Sequence, residues 1–513
     1  MNVKQLIEKA EKAFSDRDSN RNIFDDCYEY YSPYRNTLNK VGGTFNTPSK
    51  QYDSTGQISA ANFVNTLQRE FTPPFTRWSM LQAGPGTPEN AREGFNKQLE
   101  KITEQVFAYI NASNFSTASA EMYWELGAGT GVLWLYEGDQ EQPLNFVAAP
   151  VSQMGLLEGR YGTIDFRCRR HGMKGKIVLQ TWPKAKISEE KQQELKRKND
   201  KDHIVTECFY YDYELFAWKY CVILENKEII FEDIHKTEIC FTPRWMKIPG
   251  FAWGIGPFVM ALADVKTLNI LKEFLLRGAA LDIAGVYTIT NDGGINPNTV
   301  NIAPNTFIPV ERNGGENGPT IQRLETGGNF QLQEYIANNL QDQIRKTMLD
   351  NRLPAETPQP KTAFEIAERM KEFQVDIGSA YGRLMLEFII PLWKRVLDIL
   401  VRKGLINLPE DFNIENFFVQ VQVTSSIAQV QKIDDLNRFM KGVSMIAQIR
   451  PELILTAYEI EKLPAWVNEM VGAPTKLLRG DAEREQMQQA VMQMIAQAQQ
   501  AGQQPAPPMQ QSI

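Results

Sequence analysis

Histidine is scarce in this chain: three in 513 residues. His171, His203 and His235 lie in β-like or charged segments with no partner pattern around them, so each is expected to be a surface residue rather than a base or a ligand. Cysteine is nearly as thin. The five (Cys27, Cys168, Cys208, Cys221 and Cys240) contain no CxxC pair and are odd in number, which reads as reduced thiols of a cytoplasmic setting rather than a disulfide framework. Cys168 and His171 lie three apart, but no second ligand pair completes a zinc site. No GxxxxGK[ST] string is present, so an ATP-driven motor is excluded. No GxSxG elbow surrounds Asp53-Ser54-Thr55-Gly56, and paired carboxylates such as Asp25-Asp26 sit on ordinary polar faces. Long apolar runs are missing as well. The best candidate, Phe258 to Leu281, is broken by Asp264, Lys266, Lys272, Glu273 and Arg277, so no membrane span is expected. Nor is a secretory leader, because Met1-Asn2-Val3-Lys4 runs straight into a charged helical pattern. Finally there is no basic excess: 55 Lys and Arg face 62 Asp and Glu, a net charge of −7. That balance argues against a tight grip on nucleic acid, yet it suits a surface past which a duplex slides without sticking.

What the chain does contain is a folded body. With 42% apolar, 10% aromatic and 23% charged residues it can bury more than one core, and its length suggests about three or four domains. The first quarter reads as mainly helical, with Val3, Leu6, Ile7, Ala10 and Phe14 at helical spacing, then a Tyr28, Tyr30, Tyr31, Tyr34 cluster and a turn at 42–48. Further helices are expected from Ile58 to Phe71, ended by Pro73-Pro74, from Pro88 to Ala112, and from Ser116 to Leu126. Strand signals follow at 132–136, 146–148, 163–166, 208–210 and 220–224, interrupted by Lys184 to His203, whose Lys and Glu density reads as a solvated helix.

Beyond Gly256-Pro257 the pattern changes scale. A helix with proline at its tolerated first position runs to about Ile283, or ~40 Å. Short strands at 286–290 and 306–310, set among Asn-Asp-Gly-Gly and Asn-Gly turns, precede a second helix from Phe330 to Leu349. Leu332, Ile336, Leu340, Ile344 and Met348 give that helix four-residue spacing. The simplest layout is two antiparallel helices holding a small β module at their far end. A three-proline loop (350–361) then leads to Thr362-Ala363-Phe364-Glu365, a capping box opening a helix that bends at Pro391 and ends at Lys403-Gly404. An alternating strand at 417–423, helix from Ala428 to Val471, a last helix after Asp481 and a Gln/Pro-rich tail at 501–513, expected to be disordered, complete the chain. The fold class expected is α+β.

The most enzyme-like string is Glu125-Leu126-Gly127-Ala128-Gly129-Thr130-Gly131, similar to the Gly-rich turn of AdoMet-dependent methyltransferases. In those enzymes a strand enters the turn and a helix leaves it. Here a helix enters and a strand leaves, so a helix-ending turn is the better reading. No catalytic residue, metal or cofactor is expected; a methyltransferase on 125–131 stays as an alternative.

Several strings resemble one family when taken in order. Gln51-Tyr52-Asp53-Ser54-Thr55-Gly56, then Phe71-Thr72-Pro73-Pro74-Phe75-Thr76-Arg77-Trp78-Ser79-Met80-Leu81, resembles the N-terminal signature of the head-to-tail connector (portal) proteins of short-tailed bacteriophages. Gly129-Thr130-Gly131-Val132-Leu133, Lys361-Thr362-Ala363-Phe364-Glu365-Ile366, and Gly472-Ala473-Pro474 with Leu477-Leu478-Arg479 are similar to later parts of the same family, so the resemblance runs from about residue 25 to 485. It implies a portal fold: a wing (1–256 and 362–430), a stem of two helices (257–283 and 330–350), a clip (284–329), a channel loop (351–361), a crown (431–500) and the tail (501–513). It also implies a ring, dodecameric in this family, in the virion at one capsid vertex and assembled in the host cytoplasm. Implied partners are the major capsid protein, a scaffolding protein, the terminase large subunit, a tail adaptor, internal core proteins and double-stranded DNA passing non-specifically, with no membrane. Another virion component, of the tail or an adaptor, stays as a further alternative. Candidate channel-wall and loop residues are Glu273, Glu334, Asp342, Arg345, Lys346, Asp350, Arg352 and Lys361, with Lys272 and Arg277 between subunits. Candidate docking residues on the clip are Tyr287, Asn291, Asp292, Phe307, Glu311 and Arg312.

Overall fold

The computed structural model describes residues 2–34, 51–197, 200–284, 287–289, 321–323, 330–350, 377–408 (379 apart), 419–423, 426–450 and a few positions beyond 450. The elements run α1 (Val3–Asp18), α2 (Arg21–Tyr31), α3 (Thr55–Phe71), β1 (Ser79–Ala83), α4 (Glu89–Ala112), α5 (Phe115–Ala128), β2 (Leu133–Glu137), β3 (Leu144–Ala148), β4 (Met154–Glu158), β5 (Ile164–Lys174), α6 (Gly175–Thr181) and α7 (Glu189–Arg197). There follow β6 (Asp202–Asp212), β7 (Ala217–Leu224), β8 (Glu228–His235), β9 (Cys240–Phe241), β10 (Met246–Lys247), β11 (Gly254–Ile255), α8 (Pro257–Ala284), β12 (Tyr287–Ile289), β13 (Ile321–Arg323) and α9 (Phe330–Thr347). A π-helical turn at Met385–Ile389 runs into α10 (Ile390–Arg402), then β14 (Val419–Val423) and α11 (Ser426–Ile449). Helices and sheets are mixed, as an α+β chain requires.

The chain divides into two compact units: residues 1–76, 108–360 and 375–407 form one, and residues 77–107, 361–374 and 408–513 the other. In the smaller unit β1 pairs antiparallel with β14, Leu81 opposite Val421. Thr103 on α4 accepts from the Leu81 amide at 3.2 Å, Asn96 accepts from Ala83 at 2.8 Å, and Trp78 meets Phe107 edge-on at 5.1 Å. Polar groups of α4 thereby satisfy the free edge of β1, which a two-stranded ribbon would otherwise leave bare.

The larger unit is built around an antiparallel five-stranded sheet, β4-β5-β6-β7-β8, beside a three-stranded one, β3-β2-β9. α1 covers one face of the first sheet with Leu6, Ala10, Ala13 and Phe14. Its N-terminus is a capping box, the Asn2 side chain taking the Gln5 amide while Gln5 reaches back to Asn2. Against the other face lie the Trp134, Phe209, Trp218 and Tyr220 rings, with the Arg167 guanidinium 4.8 Å from Trp218. Between β7 and β8 both turn residues, Glu225 and Asn226, have positive φ, as a type I′ hairpin demands. The usual pair there would be Asn-Gly; Glu225 is held by Lys191 of α7 at 2.5 Å and by His203 at 2.7 Å.

Two expectations change on contact with the structure. The 184–203 insertion is not simply solvated: its helix covers Glu189–Arg197, and Leu195 is fully buried where the backbone at Gly175 leaves room for it. The histidines are not surface residues at all. The His203 side chain is fully buried, and those of His171 and His235 are 12% and 10% exposed. Burial, reinforced by Arg169, pushes the His171 imidazole down to about 3, and burial with Arg395 pushes that of His235 down to about 4.

Both rings therefore stay neutral in the folded chain at pH values where the unfolded chain, near 6.5, takes up the proton. Stability falls as pH drops below that value. At pH 5 the loss is about 2 kcal/mol for each ring, from about 1.36 kcal/mol per pH unit. Denaturant midpoints at pH 7.5 and pH 5 check this. The His171→Gln, His235→Gln double variant should show a clearly flatter decline, and an unchanged decline would refute it.

Candidate functional site

The glycines of residues 127–131 and those of 254–256 seat the first long helix on the rest of the unit. Gly129 ends α5 with φ +139, a conformation closed to side chains. A Cβ on Gly129 would lie less than 3.0 Å from the Gly254 carbonyl oxygen, one on Gly256 equally close to that of Gly127, and one on Gly127 inside the Phe258 ring. Two backbones cross here with no side chain between them. Hydrogen bonds stitch the crossing: Trp245 N to Gly129 O at 2.9 Å, Gly131 N to Pro243 O at 3.0 Å, and Gly254 N to Thr130 Oγ1 at 2.8 Å. Glu125, one turn earlier, is buried and accepts from the Tyr28 hydroxyl at 2.8 Å and from the Val151 amide at 3.3 Å. The backbone of Gly254–Gly256 lies directly against this string, which serves as a packing device between two segments of chain.

Gly256 then leads into Pro257 and α8, whose first turn presents Phe258 to Tyr31 (stacked, 4.7 Å), Phe63 and Trp124. The segment 51–56 ties both long helices to α3. Tyr52 N donates to Asn269 of α8 at 2.7 Å, while Asp53 accepts from Gln341 of α9 at 3.0 Å and from Thr55 N at 2.8 Å. Gly56 lets α3 approach so closely that a Cβ there would be 3.1 Å from Val265. Lys266 adds an ion pair with Asp26 of α2 at 2.6 Å.

At the same end of the pair, α9 stops in a Schellman-type turn, with Asp350 N on Arg345 O at 2.8 Å and Leu349 N on Lys346 O at 3.1 Å. Leu349 occupies, at φ +56, the position where glycine is usual. Its side chain and Asp350 are buried, and the Asp350 carboxylate accepts from Asn62 at 2.8 Å and from Ser59 at 3.3 Å, both on α3.

Beyond this base the two helices differ. α8 leads to β12, β13 pairs antiparallel with it, and α9 packs back on α8. α8 buries Phe258, Ala261, Val265 and Leu268, but on its opposite side Met260 (53%), Ile270 (50%) and Phe274 (63%) stand exposed in helical register with Ala263 and Thr267. α9 buries Ala337, Ile344 and Met348, and its outward face is mostly polar: Asn338, Asn339, Asp342, Gln343, Arg345 and Lys346 are exposed, with Leu332, Tyr335 and Ile336 confined to its first turns.

The candidate residues fall out unequally. Glu334, Asp342, Arg345 and Lys346 are exposed on α9, Asp342 paired with Arg345 at 3.2 Å. Glu273 pairs with Arg277 on α8 at 2.5 Å, and Lys272 is half-buried. The Asp350 carboxylate is turned inward to α3. Tyr287 lies in β12; Asn291, Asp292, Phe307, Glu311, Arg312, Arg352 and Lys361 lie outside the described residues, as do the strand expected at 306–310 and the tail. Sequence reasoning missed Asn62, Ser59, Asn269 and Gln341, the polar groups that tie the helix pair down. Their only signal is a polar residue recurring on otherwise apolar helix faces. Among the described residues no helix is long and apolar enough to cross a membrane, and no cluster of His, Cys, Asp and Glu could hold a metal ion.

Residues 3–478 match the family model described as bacteriophage head to tail connecting protein. The portal protein of Salmonella phage epsilon15 is 20% identical over 488 residues, covering 89% of this chain and 85% of its own length. The probable portal protein of Bordetella phage BPP-1 is 23% identical over 244 residues, 46% of this chain and 43% of that protein. Among solved structures, a chain from the virion of a native gene transfer agent particle aligns over 88% of this chain and 94% of its own length, with TM-score 0.39 at 10% identity.

Proposed function

Because the chain belongs to the family of bacteriophage head to tail connecting proteins, we propose that it works as a portal subunit, with copies closing into a ring at one capsid vertex around a bore for DNA. The observation that carries the reading is the double-sided α8. A helix with apolar residues on two opposite faces belongs inside a larger assembly, and an exposed apolar stripe marks an interaction surface. Met260, Ile270 and Phe274 form such a stripe on a helix whose other side is already buried in its own subunit. Covering it with a neighbouring copy makes a heterologous contact, which closes into a ring when the rotation per subunit is right.

On this reading α8 and α9 are the stem and divide the work. α8 faces the next subunit, and the mixed-charge face of α9, with Glu334, Asp342, Arg345 and Lys346, faces the bore. A surface of both signs in a chain of net charge −7 makes few lasting phosphate contacts, so duplex DNA can move in during packaging and out during ejection. The action is mechanical and needs no cofactor. The segment 284–329 would be the clip, docking the terminase large subunit and then a tail adaptor; the remaining contacts would be with the major capsid protein, a scaffolding protein and internal core proteins. Twelve copies is the number expected, assembled in the host cytoplasm before incorporation into the virion.

Electron microscopy of the purified protein tests the reading. Rings with a central channel are expected, and a monomer or a particle without a pore would overturn it.

A further inference from the structure

A row of thiols lies under α1, away from the residues on which the proposed ring rests. Cys168, Cys208 and Cys221 stand directly opposite one another on β5, β6 and β7, on the face that Leu6, Ala10, Ala13 and Phe14 cover. Gly155 on β4 and Glu232 on β8 continue the row. Two of its cross-strand pairs look alike in register, but their geometry differs. The Glu225 amide donates to the Ile204 carbonyl at 2.8 Å, in the register that pairs Val205 with Leu224. Hydrogen-bonded pairs recur every second residue, so Cys208 and Cys221 also form a hydrogen-bonded pair. On the inner strand β6, a residue that turns its N–H and C=O to β7 cannot turn them to β5. Cys168 and Cys208 are therefore a non-hydrogen-bonded pair. In such a pair the Cα atoms are about 4.5 Å apart and the side chains closest, against about 5.5 Å in the other kind. Disulfides need a Cβ separation of about 3.5–4.5 Å.

We propose that Cys168 and Cys208 are a latent disulfide pair, an oxidation site that bridges β5 to β6 and leaves Cys221 a thiol. The oxidant is a peroxide. The O–O bond of hydrogen peroxide breaks as one thiolate becomes a sulfenic acid and water leaves. The second thiolate then attacks that sulfur, forming S–S and releasing a second water; two protons and two electrons have passed from the thiols to the peroxide.

Burial guards the pair. It pushes the Cys168 thiol up to about 12 and that of Cys208 well above the usual thiol range, so the thiolates needed for the step are rare while α1 is seated. α1 is held by its four apolar residues and by two ties at its edge, Glu11 with Arg170 and Arg17 with the Ser152 carbonyl, each at 2.5 Å. Oxidation accordingly follows the opening of α1 rather than global unfolding.

The experiment treats the full-length protein with hydrogen peroxide under native conditions, quenches with an alkylating agent and maps linked peptides by mass spectrometry without reduction. A single linked pair containing Cys168 and Cys208 is expected, unchanged in Cys221→Ala and lost in Cys208→Ala. Its rate should rise at least about tenfold in Leu6→Ala, which loosens α1; Arg17→Gln, which removes only an edge tie, is the milder lever and should also raise it. A bridge between Cys208 and Cys221 instead, or no bridge in the native protein and in the Arg17→Gln variant alike, would overturn the proposal.

Discussion

Gly129→Ala is expected to destabilise the larger unit by about 2–5 kcal/mol, enough to cost the protein its soluble expression. Two costs combine. An L-residue forced to positive φ loses roughly 1–2 kcal/mol, and a backbone pushed apart by an extra methyl group loses about 1–3 kcal/mol more. Neighbouring glycines separate them. Gly250 has φ +87 with open space where a Cβ would stand, so Gly250→Ala carries only the first cost. Gly256 has no positive φ but meets the Gly127 carbonyl, so Gly256→Ala carries only the second. Denaturant midpoints should rank Gly250→Ala above Gly129→Ala by about 1–3 kcal/mol. If the two unfold alike, the two backbones are not in tight contact, and the seat described for α8 is wrong.

The double variant Ile270→Asp, Phe274→Asp is expected to leave the subunit folded and to abolish the ring. Both side chains are half-exposed or more in the isolated chain, so the fold loses little, within about 0.5 kcal/mol each. In the ring each position instead buries an apolar group worth about 1.5–3 kcal/mol, and the replacement carboxylate has to be stripped of water. The loss recurs at every subunit contact. Light scattering and microscopy read the outcome, with Asp342→Asn on the polar face of α9 as the control that keeps its rings. Rings persisting in the α8 variant would show that another surface holds the subunits together.

Local pattern accounts for the elements that were legible. α8 and α9 follow from long apolar periodicity with Pro257 at one end, and the bend before Pro391 appears as a π-helical turn at Met385–Ile389. β5, β6 and β7 were each located by a short core of apolar residues but run several residues further, to 11, 11 and 8. Their ends are polar, and only pairing with a neighbour keeps them extended. β1 and β14 pair across more than three hundred residues, and no local signal can announce such a partner. The histidines mislead for a related reason: polarity suggests the surface, while the buried face of a sheet can take an imidazole beside Glu207 or Glu225. Gly127, Gly129 and Gly131 carry two readings in sequence, a phosphate-binding turn and a helix end, and the order of helix and strand around them favours the second.

By itself, the sequence determined the α+β class, the long helix pair, the family and the lack of a nucleotide motor motif. These rest on periodicity and on ordered strings, which are properties of neighbours in the chain. The tertiary structure decided that 127–131 meets 254–256 backbone to backbone, that 51–56 ties α3 to both α8 and α9, that Asp350 points inward, and that three scattered cysteines form one row. Each of these depends on residues far apart in the chain being brought within a few ångströms, and only the packed chain specifies that distance.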